Sequence, residues 1–303
     1  MKSDIKHNIL KSPMLKQGID LGSRTAVCID LYCRDISGND RKVGSGSGFF
    51  HTREGKSYLI TNWHVLTGRN PKYPEQLLEG YPTSPSAFTI HLSRKVDPNH
   101  FVPSDTYPLY NGDGSPRWFE TINPNRNSSD KIDLAALMFD FSVADDKPLI
   151  TPIELFAPNG KDYLYVGRDV VIVGYPFGIN GLNPYPIWKH GYVASEPSLL
   201  VGGMPKFYID SPGRPGMSGS PVFMISKGIG VSKQTAKVFQ DGNSEDALEA
   251  LHSLNLDDLK NMQEVNILQF AGVYSGTVGD NSLERLRVGV AWHAAMVDQL
   301  FTS

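Results

Sequence analysis

Three short segments carry the residue types of nucleophilic catalysis, although each segment alone is weak evidence. His64 ends the apolar segment Tyr58-Leu-Ile-Thr-Asn-Trp-His64, and Asp133 stands immediately before another apolar segment. Ser218 lies between glycines, in Gly216-Met-Ser-Gly219. A hydroxyl is a poor nucleophile until an imidazole accepts its proton, and the imidazole needs a carboxylate that fixes its tautomer. The set therefore indicates chemistry through a serine nucleophile, provided that the fold unites the three segments.

Asp133 is one of three acidic residues in this part of the chain, together with Asp130 and Asp140. Only Asp133 is followed by an apolar residue and alanine, Leu134-Ala135, as an acid at the start of a buried strand would be. Asp130 and Asp140 remain alternatives to Asp133 as the partner of His64 at this point.

The elements that must position these residues are short β-strands. Residues 25–32 alternate, with apolar side chains at Val27, Ile29 and Leu31, which predicts a strand. Similar segments form two β-units of similar size, and a cleft between the units would unite the three segments. The predicted divisions are an N-terminal arm at 1–23, a first β-unit at 24–145, a linker at 146–162 and a second β-unit at 163–303. Helices are predicted at 244–259 and 293–301.

The composition excludes several classes of protein. The 303 residues include 29 Lys and Arg against 32 Asp and Glu, a net charge of −3 that offers no basic surface for nucleic acid. No segment predicts a membrane span, and the first residues lack the apolar core of a signal peptide. Cys28 and Cys33 lie in one predicted strand, too far apart to pair, so free thiols and a cytoplasmic location are expected. No metal-ligand spacing is present, and neither metal nor cofactor is expected.

Several segments in order resemble the chymotrypsin-like (trypsin-like) serine proteases, and among them the bacterial Deg/Htr type, over almost all of residues 25–301. The segments are Gly46–Phe50, Leu59–Val65, Asp133–Ala135, Val170–Gly178, Gly191–Ser195 and Gly216–Pro221. The resemblance implies an all-β fold of two perpendicular six-stranded antiparallel β-barrels with a C-terminal helix. It implies a peptidase in which Ser218 is the nucleophile, His64 the general base and Asp133 its orienting partner. The N–H groups of Gly216 and Ser218 would form the oxyanion hole.

The same resemblance bears on specificity and activation. The residues expected to contact substrate are Pro212, Arg214, Ser275, Gly276 and Gly289. Pro212 would be the floor of the specificity pocket, which predicts an apolar substrate side chain before the scissile bond unless Asp210 or Arg214 turns inward. Met217 replaces the aspartate that binds a newly cleaved N-terminus in secreted digestive relatives, so activation by that route is not expected.

Residues 226–264 replace the short hairpin that simple relatives have at this place. Leu248, Leu251 and Leu254 share one face of the helix predicted there. The segment is expected to be either a solvated surface or a docking site for a regulatory protein partner, and no PDZ module is expected after the protease. The predicted function is cleavage of a dedicated intracellular polypeptide. The alternative is a latent or inactive protease-fold subunit of a complex, and the oligomeric state is open.

Overall fold

Fourteen strands and two short helices form the part of the chain that the structure, a computed structural model, describes. The described residues are 20–35, 37–93, 101–121, 123, 130–140, 150–158, 163–178, 185–230, 263–277 and 288–302. The strands are β1 (Ala26–Arg34), β2 (Asp40–Arg53), β3 (Lys56–Thr61), β4 (Ala87–Ser93), β5 (Phe101–Pro103), β6 (Tyr107–Pro108), β7 (Trp118–Phe119), β8 (Ala135–Phe139), β9 (Asp169–Gly174), β10 (Ile187–Val193), β11 (Lys206–Asp210), β12 (Pro221–Gly230), β13 (Gln263–Thr277) and β14 (Val288–His293). The helices are α1 (Trp63–Thr67) and α2 (Ala295–Gln299).

The first β-unit is a curled antiparallel sheet. Its strands follow the order β5-β4-β1-β2-β3-β8-β7, and β6 also pairs with β4. Val27, Ile29 and Leu31 of β1 face a core that includes Phe50 and Leu59, because alternate residues of a strand point to the same face. The alternation in residues 25–32 is thereby confirmed as a strand.

The second β-unit is a closed antiparallel barrel with the strand order β10-β11-β14-β13-β12-β9. Val170 and Ile172 of β9 pack inside it against residues such as Phe207 and Val222. Closure leaves no unpaired edge in this unit, so its strands are held in a fixed register.

A third apolar core joins the two β-units. Cys28 and Phe49 from the first unit pack in it together with Val171, Phe223 and Phe270 from the second. Phe49 and Phe270 meet edge to face, with ring centroids 5.3 Å apart. Strands β1 and β9 thus bury both faces, one inside their own unit and the other between the units.

The predicted chymotrypsin-like double-barrel fold is confirmed by the closed barrel and the curled sheet. The first unit is the less closed of the two, because its described end strands, β5 and β7, do not pair with each other. The C-terminal helix predicted at 293–301 is α2. The helix predicted at 244–259 lies outside the described residues, as does most of the 226–264 segment, whose two ends continue β12 and β13.

Cys28 and Cys33 are both free and buried, as the sequence predicted. Of the N-terminal arm, only the last residues are described, and they lead into a short 3-10 helix at Leu21–Arg24 whose first turn is capped by Asp20. Among the described residues, no helix has the length and the apolar character needed to cross a membrane.

Candidate active site

His64 lies in the first turn of α1, immediately after β3 ends. The hydroxyl of Thr61 donates to the carbonyl of Ser47 at 2.7 Å, which fixes the end of β3 against β2. Asn62 Nδ2 donates to the Asp133 carbonyl at 2.7 Å. These two buried hydrogen bonds set the position at which the chain turns, and they bring His64 beside Asp133.

Asp133 holds His64 by two contacts. Asp133 Oδ2 lies 2.7 Å from His64 Nδ1, and Oδ1 accepts the backbone N–H of His64 at 2.9 Å. Only 4% of the Asp133 side chain and 14% of the His64 side chain are exposed. With Nδ1 against the carboxylate, Nε2 is the ring nitrogen left for proton transfer.

A third donor reaches the same carboxylate from the second β-unit. The hydroxyl of Ser275, on β13, donates to Asp133 Oδ2. The register of β13 against β14 shifts between Tyr274 and Gly276, so Ser275 is the residue at the irregularity. Such an irregularity changes the direction of a side chain. Here the Ser275 side chain points toward Asp133. The sequence suggested only a substrate contact for Ser275.

The alternative acids, Asp130 and Asp140, are not the carboxylates that pair with His64. Asp130 lines a cleft that His64 and Asp133 also line, and its carbonyl accepts from Asn123 Nδ2 at 2.7 Å. Asp140 is exposed immediately after β8. Asp133 is thus the carboxylate that the structure places on the imidazole.

Ser218 lies in the turn between β11 and β12. Ser47 of β2 holds this turn by hydrogen bonds. Ser47 N–H donates to the Ser218 carbonyl at 2.8 Å, and the Ser47 hydroxyl donates to the Gly216 carbonyl at 2.8 Å. The same hydroxyl accepts from Tyr175 N–H at 2.9 Å. A residue of the first β-unit therefore holds the turn that carries the serine of the second. In the sequence, Ser47 is one residue of the segment Gly46–Phe50, and no local pattern marks it as a contact of Ser218.

Gly216 has a backbone conformation and surroundings that only glycine fits well. Its φ is +89°, in the left-handed region. A Cβ there would overlap the Tyr175 carbonyl and lie 2.8 Å from Phe177 N. Met217, the next residue, is fully buried in the core of the closed barrel, so apolar packing anchors the turn at the position where secreted relatives have an aspartate.

The backbone N–H groups of Gly216 and Ser218 have no hydrogen-bond acceptor within the described parts of the chain. Phe177 N–H donates to the Pro215 carbonyl at 2.6 Å, and no peptide bond among the described residues is cis. Because the C=O and N–H of a trans peptide point in opposite directions, the Gly216 N–H points away from Phe177. Phe177 itself has a φ of +60°, unusual for a residue other than glycine.

Two cavities open beside Ser218. The main cleft has a volume of about 630 Å³, and its walls include His64, Asp133, Ser218 and Ser275. The side pocket, of about 460 Å³, is lined by Ser218 with Pro212, Gly213, Arg214, Pro215, Gly276 and Thr277. Three of the residues expected to contact substrate, Pro212, Arg214 and Gly276, thus lie around the side pocket. Gly289 lines neither cavity.

The main cleft carries a half-buried positive charge. Lys206 Nζ lies 5.0 Å from the centre of the Trp292 ring. Burial lowers the pKa of Lys206, although Asp133 and Asp130 oppose this shift. Lys206 and Asp133 line the same cleft.

Among the described residues, one group has the residue types and spacing of a metal site. Its members are Cys28, Asp30 and His91, whose potential ligand atoms lie within 4.8 Å of one another. Burial raises the pKa of Cys28 to about 12, which keeps it a thiol. Lys42 Nζ lies 2.7 Å from Asp30 Oδ1, and His91 Nε2 lies 3.1 Å from Oδ2. These contacts fit a buried carboxylate held by an ion pair with Lys42 and a hydrogen bond with His91.

The family model described as trypsin-like peptidase domain matches residues 46–229, more than half of the chain. The chain belongs to this family, and the resemblance to chymotrypsin-like serine proteases is confirmed. No curated protein matches the chain.

Proposed function

We propose that this chain is a serine endopeptidase in which Ser218, His64 and Asp133 form the catalytic triad. The observation that carries the proposal is the pairing of His64 Nδ1 with Asp133 at 2.7 Å on the wall of the cleft that Ser218 also lines. Membership of a peptidase family makes a polypeptide the substrate class.

The proposed reaction begins at Ser218. Its Oγ attacks the carbonyl carbon of the scissile peptide bond while His64 Nε2 accepts the hydroxyl proton. The negative charge that develops on the substrate oxygen is stabilised by the N–H groups of Gly216 and Ser218, and Asp133 stabilises the imidazolium. His64 then gives its proton to the leaving nitrogen, and water hydrolyses the acyl-enzyme by the same path in reverse.

The backbone around Ser218 supports a site that is assembled in the free chain. The hydrogen bond from Phe177 N–H to the Pro215 carbonyl makes the Gly216 N–H point away from Phe177. A preorganised donor of this kind stabilises the transition state by about 3 kcal/mol. A latent or inactive binding subunit would not need two unpaired amides beside the serine. We therefore favour the constitutive enzyme over the latent subunit.

The substrate is proposed to be a dedicated protein in the cytoplasm, since two buried free thiols agree with a reducing compartment. We also propose that the chain is related to the bacterial Deg/Htr type of protease. This relationship rests on the sequence segments alone. Fractionation of cells that produce the chain at native level would test the location.

Labelling with a fluorophosphonate probe tests the proposed chemistry. We expect the purified protein to be labelled, and Ser218→Ala and His64→Ala to abolish labelling while circular dichroism shows that both remain folded. Labelling that survives Ser218→Ala would overturn the assignment of the nucleophile. A folded wild-type protein that is not labelled would favour the latent or inactive subunit.

A further inference from the structure

The side chain of Tyr274 lies between Gly213 and Gly289, near the residues expected to contact substrate. Tyr274 precedes Ser275 on β13, and its backbone is fixed beside the nucleophile. Its N–H donates to the Ser220 carbonyl at 2.9 Å, and its carbonyl accepts from Gly219 N–H at 2.9 Å. The residue therefore cannot move without disturbing the turn around Ser218.

The phenol ring lies between two glycines. A Cβ on Gly213 would overlap the Tyr274 hydroxyl, and a Cβ on Gly289 would lie 2.7 Å from Tyr274 Cε2. Gly213 follows Pro212, the residue expected at the pocket floor, and Gly289 is one of the residues expected to contact substrate. The ring thus occupies the space between Gly213 and Gly289, where a larger residue at either position would overlap it.

Tyr274 is fully buried, with no exposed surface. Its hydroxyl has no hydrogen-bond partner among the described residues, and burial raises its pKa. A buried hydroxyl without a partner costs free energy, so the phenol is not explained by its own hydrogen bonding. The ring fills the space between Gly213 and Gly289, while the shallow side pocket and the main cleft stay open beside Ser218.

Two cations border the same pocket. Lys189 Nζ donates to the Pro212 carbonyl, and Arg214 lines the side pocket. Burial and the nearby Arg214 both lower the pKa of Lys189. A lysine or arginine side chain of a substrate would meet like charges at this place.

We propose that Tyr274 closes the specificity pocket, so that the residue before the scissile bond must have a small, uncharged side chain such as that of glycine, alanine or serine. This inference rests on the proposed function. The sequence predicted an apolar side chain before the scissile bond, whereas this proposal selects by size and charge. Tyr274 is then the residue that determines specificity.

The decisive experiment measures kcat/KM on peptides that differ only in the residue before the scissile bond: alanine, leucine, phenylalanine or lysine. For the wild-type protein we expect alanine to exceed phenylalanine and lysine by at least about tenfold. Tyr274→Val should raise the leucine and phenylalanine values by about tenfold or more. Tyr274→Phe, which keeps the ring and removes the hydroxyl, should keep the wild-type ranking whatever its absolute rate.

A wild-type preference for phenylalanine or leucine would overturn the proposal, and so would an unchanged ranking in an active Tyr274→Val. Labelling by a small fluorophosphonate is recorded for each variant, because it reports the triad without filling the specificity pocket. Absence of labelling in the folded wild type would contradict the proposed function rather than the role of Tyr274.

A second measurement needs no catalysis. Tyr274→Ala should leave a cavity of phenol size that binds p-cresol, just as apolar cavities bind small aromatic molecules, and p-cresol should then raise its melting temperature. Wild type and Tyr274→Phe should not be stabilised. Equal shifts in all three proteins would show that the ring does not fill a pocket. If Tyr274→Ala does not fold, the wild-type substrate ranking decides alone.

Discussion

The carboxylate of Asp133 receives hydrogen bonds from both β-units, and Ser275 supplies the one from the second unit. The imidazole can be oriented only as firmly as the carboxylate beneath it. In the proposed reaction Ser275 would be a positioning residue, since its hydroxyl would act through Asp133.

Replacing Ser275 by alanine removes this hydroxyl and leaves the backbone in place. A hydrogen bond to a charged group contributes about 1.5–3 kcal/mol, so we expect the rate of fluorophosphonate labelling to fall about tenfold or more. Ser275→Thr retains the hydroxyl and should recover most of the loss. A Ser275→Ala protein labelled at the wild-type rate would show that Asp133 does not need this donor.

Asp30 is a buried carboxylate that bears on stability. Burial alone would raise its pKa, but hydrogen bonds from His91 and Lys42 outweigh this effect and hold the pKa below the ordinary value of 3.8. A pKa that is lower in the folded state means that ionised Asp30 stabilises the fold above pH 3.8, and that this contribution is lost as the pH falls through the folded-state pKa.

Asp30→Asn should therefore cost about 3 kcal/mol at neutral pH, and the cost should shrink in acid. Urea unfolding of both proteins at several pH values between 7 and 3 measures the difference in free energy of unfolding. A difference that stays the same at every pH would contradict an electrostatic role for Asp30 and would indicate packing.

The turn between β11 and β12 is the element on which the proposed chemistry depends. Gly216→Ala would place a methyl group against the Tyr175 carbonyl and the backbone of Phe177. The turn must shift, and with it the N–H group proposed to bind the oxyanion. We expect labelling to fall by at least about 100-fold.

The matched control is Gly114→Ala. Gly114 also has a positive φ, of +82°, but a Cβ there meets nothing within 4 Å. Both substitutions should lower the melting temperature through backbone strain, whereas only Gly216→Ala should lose labelling. Equal labelling in the two variants would mean that the turn tolerates a shift.

Local patterns predicted most of this site, and tertiary packing decided the rest. The strand that leads to His64, the acid before β8 and the glycine-flanked Ser218 are each readable from adjacent residues. The role of Ser275 depends on a register shift between β13 and β14, and the place of Tyr274 depends on glycines that are distant in the chain. Neither the shift nor the packing leaves a periodic signal in one sequence.

At the scale of the whole molecule, the site depends on the core between the β-units. His64 and Asp133 lie on one unit and Ser218 on the other, while Phe49 and Phe270 meet across the boundary. A loss of packing here changes how the units are aligned as well as how stable they are.

A double-mutant cycle on Phe49→Leu and Phe270→Leu measures this coupling. Edge-to-face aromatic pairs contribute about 0.5–1.5 kcal/mol beyond the burial of area, and we expect a coupling of that size in urea unfolding. The labelling rate of the double variant should also fall. Strict additivity of the two free-energy changes would show that the rings do not interact.

The hydrogen bonds of Ser47, Tyr274 and Ser275 also order events during biosynthesis. During synthesis, His64 and Asp133 leave the ribosome long before β13 does. Until then Gly219 lacks the Tyr274 carbonyl, Asp133 lacks the Ser275 hydroxyl, and the closed barrel cannot dock its serine on Ser47. For the proposed peptidase we therefore expect no activity until β13 is made, a protection of the kind that a cleavable propeptide gives to other peptidases.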